Sequence, residues 1–279
     1  MTTGPDSRAE SGIHWDVGAA DSYGGYLGLD RLLTAQLPRS GEHDEMLFII
    51  IHQASELWMK LLLHELGTAL AGIRADALAV PLKVLARVGR IQQQLIQSWD
   101  VLSTMTPHDY QRLRPYLGPS SGFQSYQYRE LEFRLGNKDA ALIAVHRGDP
   151  PAHARLSAAL AAPSLYDEAL RLLARRGIAV PEAVLHRDVA LSYTADPGVE
   201  AAWLTVYRDV ETHWDLYDLA EKLVDLEDRF QQWRFRHLKT VERIIGMKGG
   251  TGGSSGVPFL ARALGLRFFP ELWSLRTKL

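Results

Sequence analysis

The stretch LAEKLVDLEDRFQQWRFRHLKTVERIIGMKGGTGGSSG, residues 219–256, predicts a long amphipathic helix followed by a glycine-rich loop. Large apolar residues recur in it at steps of four and three residues, which is the spacing of one helix face. The members of this stripe are Leu219, Leu223, Leu226, Phe230 and Trp233. The next position is His237, and Val241 and Ile244 continue the stripe. A histidine therefore stands where the pattern calls for an aliphatic side chain.

The loop after this helix holds six glycines in the eleven residues from Gly246 to Gly256. Glycine tolerates positive φ angles and allows a backbone to approach a ligand closely. A P-loop is excluded, because that motif follows a strand and places Gly-Lys-Ser/Thr before a helix, whereas Lys248 precedes the glycines here. The end of a helix also presents carbonyl oxygens, which repel anions. The hydroxyl of Thr251 and the neighbouring serines instead suit a polar small molecule.

The composition leads us to expect a soluble, cytoplasmic protein. The chain of 279 residues is 46% apolar and 23% charged, and it is long enough to bury a core. A formal net charge of −2 argues against nucleic acid as a partner. The first residues lack the apolar core of a signal peptide, and the longest strongly apolar run, Met46 to Ile51, is too short to span a membrane. The absence of cysteine excludes disulfides, iron–sulfur clusters and thiolate ligands, so histidine is the leading candidate for a metal ligand.

A second long helix is predicted from Glu45 to Arg74, where no proline occurs. Its sequence is apolar nearly all round, so we expect it to be central and buried. Phe48 and His52 share one of its faces, which makes His52 a second histidine in an apolar setting. A single such residue is commonly a buried neutral histidine with a hydrogen-bond partner. Two of them on separate buried helices favour a functional role.

Two further segments carry residues typical of binding sites. Tyr110 and Arg114 lie in a stretch with two arginines and two tyrosines within eight residues. A planar guanidinium beside hydroxyl groups is what a carboxylate requires, and solvated surface charge is the alternative. Tyr23 and Tyr26 flank a glycine pair, which indicates either a turn before a helix or an aromatic lid or subunit contact.

The chain is predicted to be all-α, a bundle of long central helices, because no segment shows sustained strand alternation. Residues 1–20 are polar and expected to be mobile, and residues 21–279 are expected to form one domain. Within that domain, the alanine-rich segment 139–195 predicts a peripheral helical insertion. A phase slip between two apolar stripes predicts a kink or a helix junction near Asp215 to Asp218.

The motifs of common hydrolases do not occur in the sequence. His64-Glu65 lacks the second histidine of HExxH, and there is no GxSxG elbow. One histidine on an aliphatic stripe is how a helical bundle ligates a haem iron from one side. The residues alone therefore leave three interpretations open: a haem protein, a structural or adaptor bundle, and a protein with another small-molecule site.

Six segments resemble the tryptophan 2,3-dioxygenase family, and they follow the family's order from about Tyr23 to the C-terminus. They are YGGYLGLDRLL, FIIIHQASELWMK, LSTMTPHDY, SSGFQSYQYRELE, FRHLKTVERIIG and GTGGSSGV. The resemblance implies a haem-dependent indole dioxygenase that inserts both atoms of O2 across the C2–C3 bond of L-tryptophan. The product would be N-formyl-L-kynurenine, in the first step of tryptophan degradation by the kynurenine pathway. The resemblance also implies one haem b per subunit, ferrous when active, and a homotetramer built as a dimer of dimers.

The same resemblance assigns roles to single residues. His237 matches the proximal haem ligand, and His52 matches the distal histidine that contacts the indole N–H and is the candidate catalytic residue. The residues matched to cofactor binding are Ser121 and Gly122, beside His237. The residues matched to substrate binding are Phe48, Tyr110, Arg114, Thr251, Tyr23 and Tyr26.

The substrate-binding residues divide by the part of tryptophan they would meet. Phe48 would line the indole pocket, and Thr251 would meet the ammonium and carboxylate. Arg114 would pair with the carboxylate with help from Tyr110. The two N-terminal tyrosines would close the pocket of a neighbouring subunit.

One position departs from the family pattern. Leu113 stands before Arg114, where the family often has an aromatic residue, and this affects the expected packing of the indole. Two alternatives to the dioxygenase remain at this point. One is a catalytically silent helical haem-binding or sensor module, and the other is a dioxygenase for a different indole.

Overall fold

The computed structural model of the chain describes Gly18 and residues 21–279. The prediction of a mobile segment at residues 1–20 therefore lies outside the described residues, apart from Gly18. The chain divides into two compact units, Met1–Gly41 and Glu42–Leu279. The expectation of a single domain over residues 21–279 stays a prediction.

The described part of the smaller unit contains two short helices, α1 (Tyr23–Leu27) and α2 (Leu29–Leu32). The Ser22 hydroxyl accepts a hydrogen bond from the backbone N–H of Gly25 and so caps α1. Gly28 separates the helices with a φ of 61°, a left-handed conformation that a residue with a Cβ adopts at a cost.

The larger unit is built of helices alone. Its long helices are α3 (Asp44–Arg74), α4 (Ala79–Leu102) and α11 (Trp214–Ile245). The intermediate helices are α5 (Pro107–Leu117), α6 (Tyr126–Leu135), α7 (Pro150–Ala161), α8 (Leu165–Arg175) and α10 (Pro197–Arg208). The short ones are α9 (Glu182–Leu185), α12 (Val257–Ala263) and α13 (Pro270–Ser274). The described residues contain no strand, so the all-α prediction is confirmed.

The three long helices pack together and form the centre of the unit. Their apolar faces share one large core cluster that includes Leu66, Val88 and Leu223. Gly89 of α4 leaves room for the guanidinium of Arg229 from α11, because a Cβ at this position would lie 2.9 Å from Nη1 of Arg229. This packing places the N-terminal half of α3, the last turns of α4 and the last turns of α11 around one space.

One face of α3 is exposed in this chain, so the expectation that this helix is central and buried holds for its other face only. Its second half is buried through residues such as Leu62, Leu66 and Ile73. Four large apolar side chains are instead 36–49% exposed, and they are Met46, Ile50, Leu57 and Leu61. Their spacing of four, seven and four residues places them on one stripe. Apolar residues on every side of a helix do not reveal which side the chain's own helices cover.

Among the described helices, α3 is the one whose length and composition would allow it to cross a bilayer, and 17% of its most apolar window is buried. The short apolar run noted in the sequence had not indicated such a segment. Length and apolar composition are shared by core helices of soluble proteins. This feature alone therefore does not make α3 a membrane span.

The predicted helix junction is confirmed, a few residues earlier than expected. The helix α10 ends at Arg208 and α11 begins at Trp214. The Asp209 side chain accepts a hydrogen bond from the backbone N–H of Thr212 and stabilises the turn between the helices. The phase slip between the two apolar stripes thus marks a change of helix.

Segment 139–195, which was predicted to be a peripheral insertion, contains one helix that lies in the main core. The side chains of Leu165, Tyr166 and Leu173 in α8 are at most 1% exposed, and α8 packs on α3. The helix α7 lies further out and pairs with α6. The treatment of the whole segment as an insertion stays a prediction, but α8 is not peripheral.

Glu227 of α11 attaches the C-terminal segment to the bundle. Its carboxylate is buried and accepts hydrogen bonds from the backbone N–H groups of Phe268 at 2.8 Å and Phe269 at 3.1 Å. It also accepts one from Nε1 of Trp273 at 2.9 Å. Burial raises the pKa of this carboxyl, and the hydrogen bonds oppose that rise.

We expect Glu227→Gln to lower the free energy of unfolding by about 1–3 kcal/mol, because the new amide NH2 would face a buried N–H and leave it unpaired. Urea unfolding followed by circular dichroism measures the change. Glu182→Gln is the matched control at an exposed glutamate on α9, and it should stay within about 0.5 kcal/mol of the wild type. Equal stability of both variants would contradict a structural role for the Glu227 carboxylate.

Candidate active site

A cavity of about 620 Å³ lies in the larger unit, between α3, α4, α6, α11, α12 and the glycine-rich loop. This volume is within the range of small-molecule and cofactor sites, roughly 300–1,000 Å³. Seven of the predicted site residues line it, and they are Phe48, His52, Tyr110, Ser121, Gly122, His237 and Thr251. Arg114 does not line the cavity. Tyr23 and Tyr26 lie in the smaller unit, where they are 77% and 86% exposed.

His237 lies about two and a half turns before the start of the loop, on the face of α11 that borders the cavity. Its ring stacks on that of Trp99 from α4, with a centroid distance of 4.5 Å and an interplanar angle of 11°. Burial lowers the pKa of this histidine to about 4, and no described group is hydrogen-bonded to its ring nitrogens. The imidazole is therefore neutral near pH 7 and carries a free lone pair.

His52 is fixed in one tautomer by its own helix. Its Nδ1 lies 2.7 Å from the carbonyl oxygen of Phe48, one turn earlier in α3. Because a carbonyl oxygen only accepts, Nδ1 carries the proton and Nε2 has the lone pair. Burial lowers the pKa of His52, so the ring is neutral and Nε2 is a hydrogen-bond acceptor. The Phe48 ring packs on it with a centroid distance of 4.2 Å.

A buried ionic cluster forms another wall of the cavity, and no pattern in the sequence indicated it. Glu132 of α6 accepts from Nη2 of Arg234 at 2.9 Å and also pairs with Arg129. The Tyr128 hydroxyl donates to the same carboxylate at 3.2 Å. The three charged side chains are at most 7% exposed. Two guanidinium groups thus share one carboxylate, and this leaves a buried positive charge that suits an anionic group of a ligand.

Two donor atoms in the cavity wall have no hydrogen-bond partner among the described residues. They are Nε1 of Trp99 and Nε of Arg234, and both are buried. An unpaired buried donor costs about 1–3 kcal/mol, so native proteins rarely leave one unused. These two atoms indicate that a bound group with acceptor atoms completes the wall.

The glycine-rich loop packs against the segment between α5 and α6. The Thr251 hydroxyl donates to the carbonyl of Ser120 at 2.6 Å. Next to it, a Cβ at Gly252 would lie 2.6 Å from Cβ of Ser121, so only glycine permits this approach. The loop therefore closes one end of the cavity, where Thr251 and Ser121 both line it.

Arg114 holds the same loop from outside the cavity lining. Its Nη2 donates to the carbonyl of Gly249 at 2.7 Å. A guanidinium carries five donors, so this contact leaves capacity for a carboxylate. Tyr110, one turn earlier on α5, lines the cavity, and burial raises the pKa of its hydroxyl so that it stays protonated. Leu113 is fully buried and packs in a small cluster with Phe48 as a partly buried neighbour.

The described residues contain no group of three or more His, Asp or Glu side chains placed to hold a metal ion together. A metal that arrives in its own macrocycle needs only one or two axial ligands from the protein. Of the two cavity histidines, His237 has both ring nitrogens free, whereas His52 uses Nδ1 for Phe48. His237 is therefore the better candidate for an axial ligand.

Comparison with known proteins identifies the relatives of this chain. The sequence profile of the tryptophan 2,3-dioxygenase family matches residues 8–279. A tryptophan 2,3-dioxygenase of Bacillus cereus (strain ZK / E33L) is 58% identical over 270 residues, which cover 97% of each chain. One of Burkholderia pseudomallei (strain 668) is 59% identical over 274 residues, which cover 97% of this chain and 90% of the relative. On both criteria, the chain belongs to the tryptophan 2,3-dioxygenase family.

Proposed function

We propose that the protein is a haem-dependent dioxygenase that inserts both atoms of O2 across the indole C2–C3 bond of L-tryptophan. The C2–C3 bond is cleaved, each carbon receives one oxygen atom, and N-formyl-L-kynurenine is the product. The relatives' names support the reaction. The single observation that carries the proposal is that one cavity contains two neutral histidines from different helices, one with a free lone pair and one set as an acceptor.

The residues of the cavity fit one haem b per subunit, in the ferrous state when active. His237 would hold the haem iron through a ring nitrogen. The carboxylates of the haem would suit this wall. They could accept hydrogen bonds from the buried donors of Trp99 and Arg234, and they would meet the positive charge of the cluster around Glu132. Ser121 and Gly122 line the same cavity and would contact its edge. When bound, the haem supplies the iron centre that activates O2, and the family depends on this cofactor.

The other side of the cavity fits the indole. Nε2 of His52 would accept a hydrogen bond from the indole N–H, because Phe48 already holds Nδ1. The Phe48 ring and the apolar neighbours of Leu113 would wall the indole. This arrangement makes His52 a positioning group for the substrate, since a neutral hydrogen-bond acceptor orients the indole without removing its proton.

The polar end of the substrate would lie beside the glycine-rich loop. Arg114 would pair with the carboxylate, with the Tyr110 hydroxyl as a further donor. The Thr251 hydroxyl would serve the ammonium and carboxylate in place of its present bond to Ser120. Thr251 belongs to this loop and Arg114 is hydrogen-bonded to it through Gly249, so both groups already lie beside the expected position of the substrate's polar end.

We expect His52→Ala to retain stoichiometric haem and to lower kcat/KM for L-tryptophan by about 2- to 12-fold, the loss of one neutral hydrogen bond of about 0.5–1.5 kcal/mol. The loss should disappear with 1-methyl-tryptophan, which has no indole N–H. His64→Ala, at an exposed histidine on the same helix, is the control. An equal loss for both substrates would contradict a contact with the indole N–H.

We also propose a homotetramer located in the cytoplasm. The exposed apolar stripe of α3, formed by Met46, Ile50, Leu57 and Leu61, supports burial against another subunit. The exposed Tyr23 and Tyr26 support a role for the N-terminal segment at a neighbouring subunit's pocket. Light scattering of the purified protein measures the subunit number, and a monomer would contradict the assembly.

The reaction is tested with the reconstituted ferrous protein, mixed anaerobically with L-tryptophan and then with isotopically labelled O2. The expected product is N-formyl-L-kynurenine with both oxygen atoms from O2, measured by absorbance and mass spectrometry. Bound haem without product from L-tryptophan or from other indoles would favour a silent sensor module. Turnover restricted to another indole would assign the alternative substrate. Failure to bind haem would overturn the proposal.

A further inference from the structure

The ring of His237 is oriented by an aromatic stack. Trp99 comes from the last turn of α4, and its ring centroid lies 4.5 Å from that of His237 with an interplanar angle of 11°. Trp233, one turn before His237, contacts the same ring at 5.3 Å but at 52°. Of these two tryptophans, Trp99 is the one that presents a parallel face to the imidazole, and rotation of the imidazole about its Cβ–Cγ bond would break this contact.

The surrounding contacts hold the two rings in register. Asp100, directly after Trp99, forms an ion pair with Arg236, directly before His237. This pair is exposed, so it adds little energy, but it links α4 and α11 at this level. The Trp99 ring also packs against the Trp233 ring, with a centroid distance of 5.6 Å and an interplanar angle of 56°, and this contact limits the rotation of Trp99.

This arrangement differs from the usual support of a metal-binding histidine. Such a histidine normally donates its second ring N–H to a carboxylate, a carbonyl or water, and this bond fixes the plane and direction of the lone pair. No described residue offers that acceptor to His237. The parallel face of Trp99 restricts the same rotation by packing.

We propose that Trp99 is the positioning residue of His237 and sets the direction of its lone pair into the cavity by stacking. This inference rests on the proposed haem function of His237. This role differs from general packing. A flat ring at residue 99 should be enough to hold the orientation of His237, whereas a flexible side chain of similar length should not hold it. The indole N–H of Trp99 is a separate feature, and the stack does not depend on it.

The test compares Trp99→Phe, which keeps a flat ring, with Trp99→Met, which fills space without one. The matched control is Trp58→Met, the same exchange at a partly buried tryptophan that packs on the core outside the cavity. The readouts are the iron–histidine stretching band of the anaerobic ferrous protein in resonance Raman spectra and the haem dissociation constant. Circular dichroism checks folding, and Trp99→Leu replaces Trp99→Met if that variant does not fold.

We expect Trp99→Phe and Trp58→Met to keep the wild-type band. Trp99→Met should shift or broaden it and weaken haem binding by about 10- to 100-fold, the usual effect of removing a group that supports a metal ligand. A wild-type band and affinity in Trp99→Met would overturn the positioning role. Absence of any iron–histidine band in the wild-type protein would instead overturn the proposed function, so the two failures are distinguishable.

Discussion

His237→Ala is expected to yield a folded protein that does not retain haem and does not turn over L-tryptophan. The substitution removes the cavity imidazole whose two ring nitrogens have no hydrogen-bond partner among the described residues. Changes in groups that only support a metal ligand cost about 10- to 100-fold in metal affinity. Loss of the ligand itself should cost more than that.

The measurement combines haem stoichiometry with circular dichroism after reconstitution. Helicity should be unchanged, because His237 makes no described hydrogen bond and its helix is held by residues such as Leu238 and Phe230. His186→Ala, at an exposed histidine paired with Glu182, is the control and should bind haem normally. His237→Gly with added imidazole should recover the ferrous absorption spectrum. Stoichiometric haem in His237→Ala would show that another residue is the ligand.

The periodicity of the sequence predicted the helices that form the site, but it did not predict the contacts between them. The apolar stripes predicted α3, α11 and the junction before α11, because helical spacing is a local property of the sequence. His237 and His52 were found for the same reason, as polar residues on apolar stripes. Their shared cavity depends on how α3 and α11 pack, and the stripes alone do not specify that packing.

The ionic wall of the cavity was missed for a physical reason. Arg129, Glu132 and Arg234 look like solvated charges in a sequence, since most arginines and glutamates are exposed. Glu132 and Arg129 are close on one helix, but Arg234 is on another, and only the packing of α6 near α11 brings the three together. The stack of Trp99 on His237 is another contact between helices that no spacing predicts.

The exposed face of α3 shows a second limit of prediction from sequence. Its sequence correctly predicted an apolar helix, but it did not distinguish burial by the same chain from burial by another subunit. The stripe residues Met46, Ile50, Leu57 and Leu61 are of the same large apolar types as those on the buried face, such as Leu62 and Leu66. Composition records how much apolar surface a helix carries, and it does not say what covers that surface.

Arg114→Ala is expected to raise KM for L-tryptophan by about 10- to 150-fold, which corresponds to the loss of a charge-assisted hydrogen bond of about 1.5–3 kcal/mol. Haem content should be unchanged, because Arg114 does not line the cavity. Arg114→Lys should recover only part of the loss, since an ammonium lacks the two parallel donors of a guanidinium. Arg112→Ala, two residues away at an exposed arginine paired with Glu42, is the control.

A second effect must be separated from the loss of the carboxylate contact, because Arg114 also holds the carbonyl of Gly249. Its removal could weaken binding by releasing the glycine-rich loop. Tryptamine, which keeps the indole and the amine but lacks the carboxylate, distinguishes the two effects when binding is followed by absorbance. If Arg114 acts on the carboxylate, Arg114→Ala and the wild type should bind tryptamine with similar affinity. An equal loss for tryptamine and L-tryptophan would assign Arg114 to the loop and would contradict its role as the carboxylate partner.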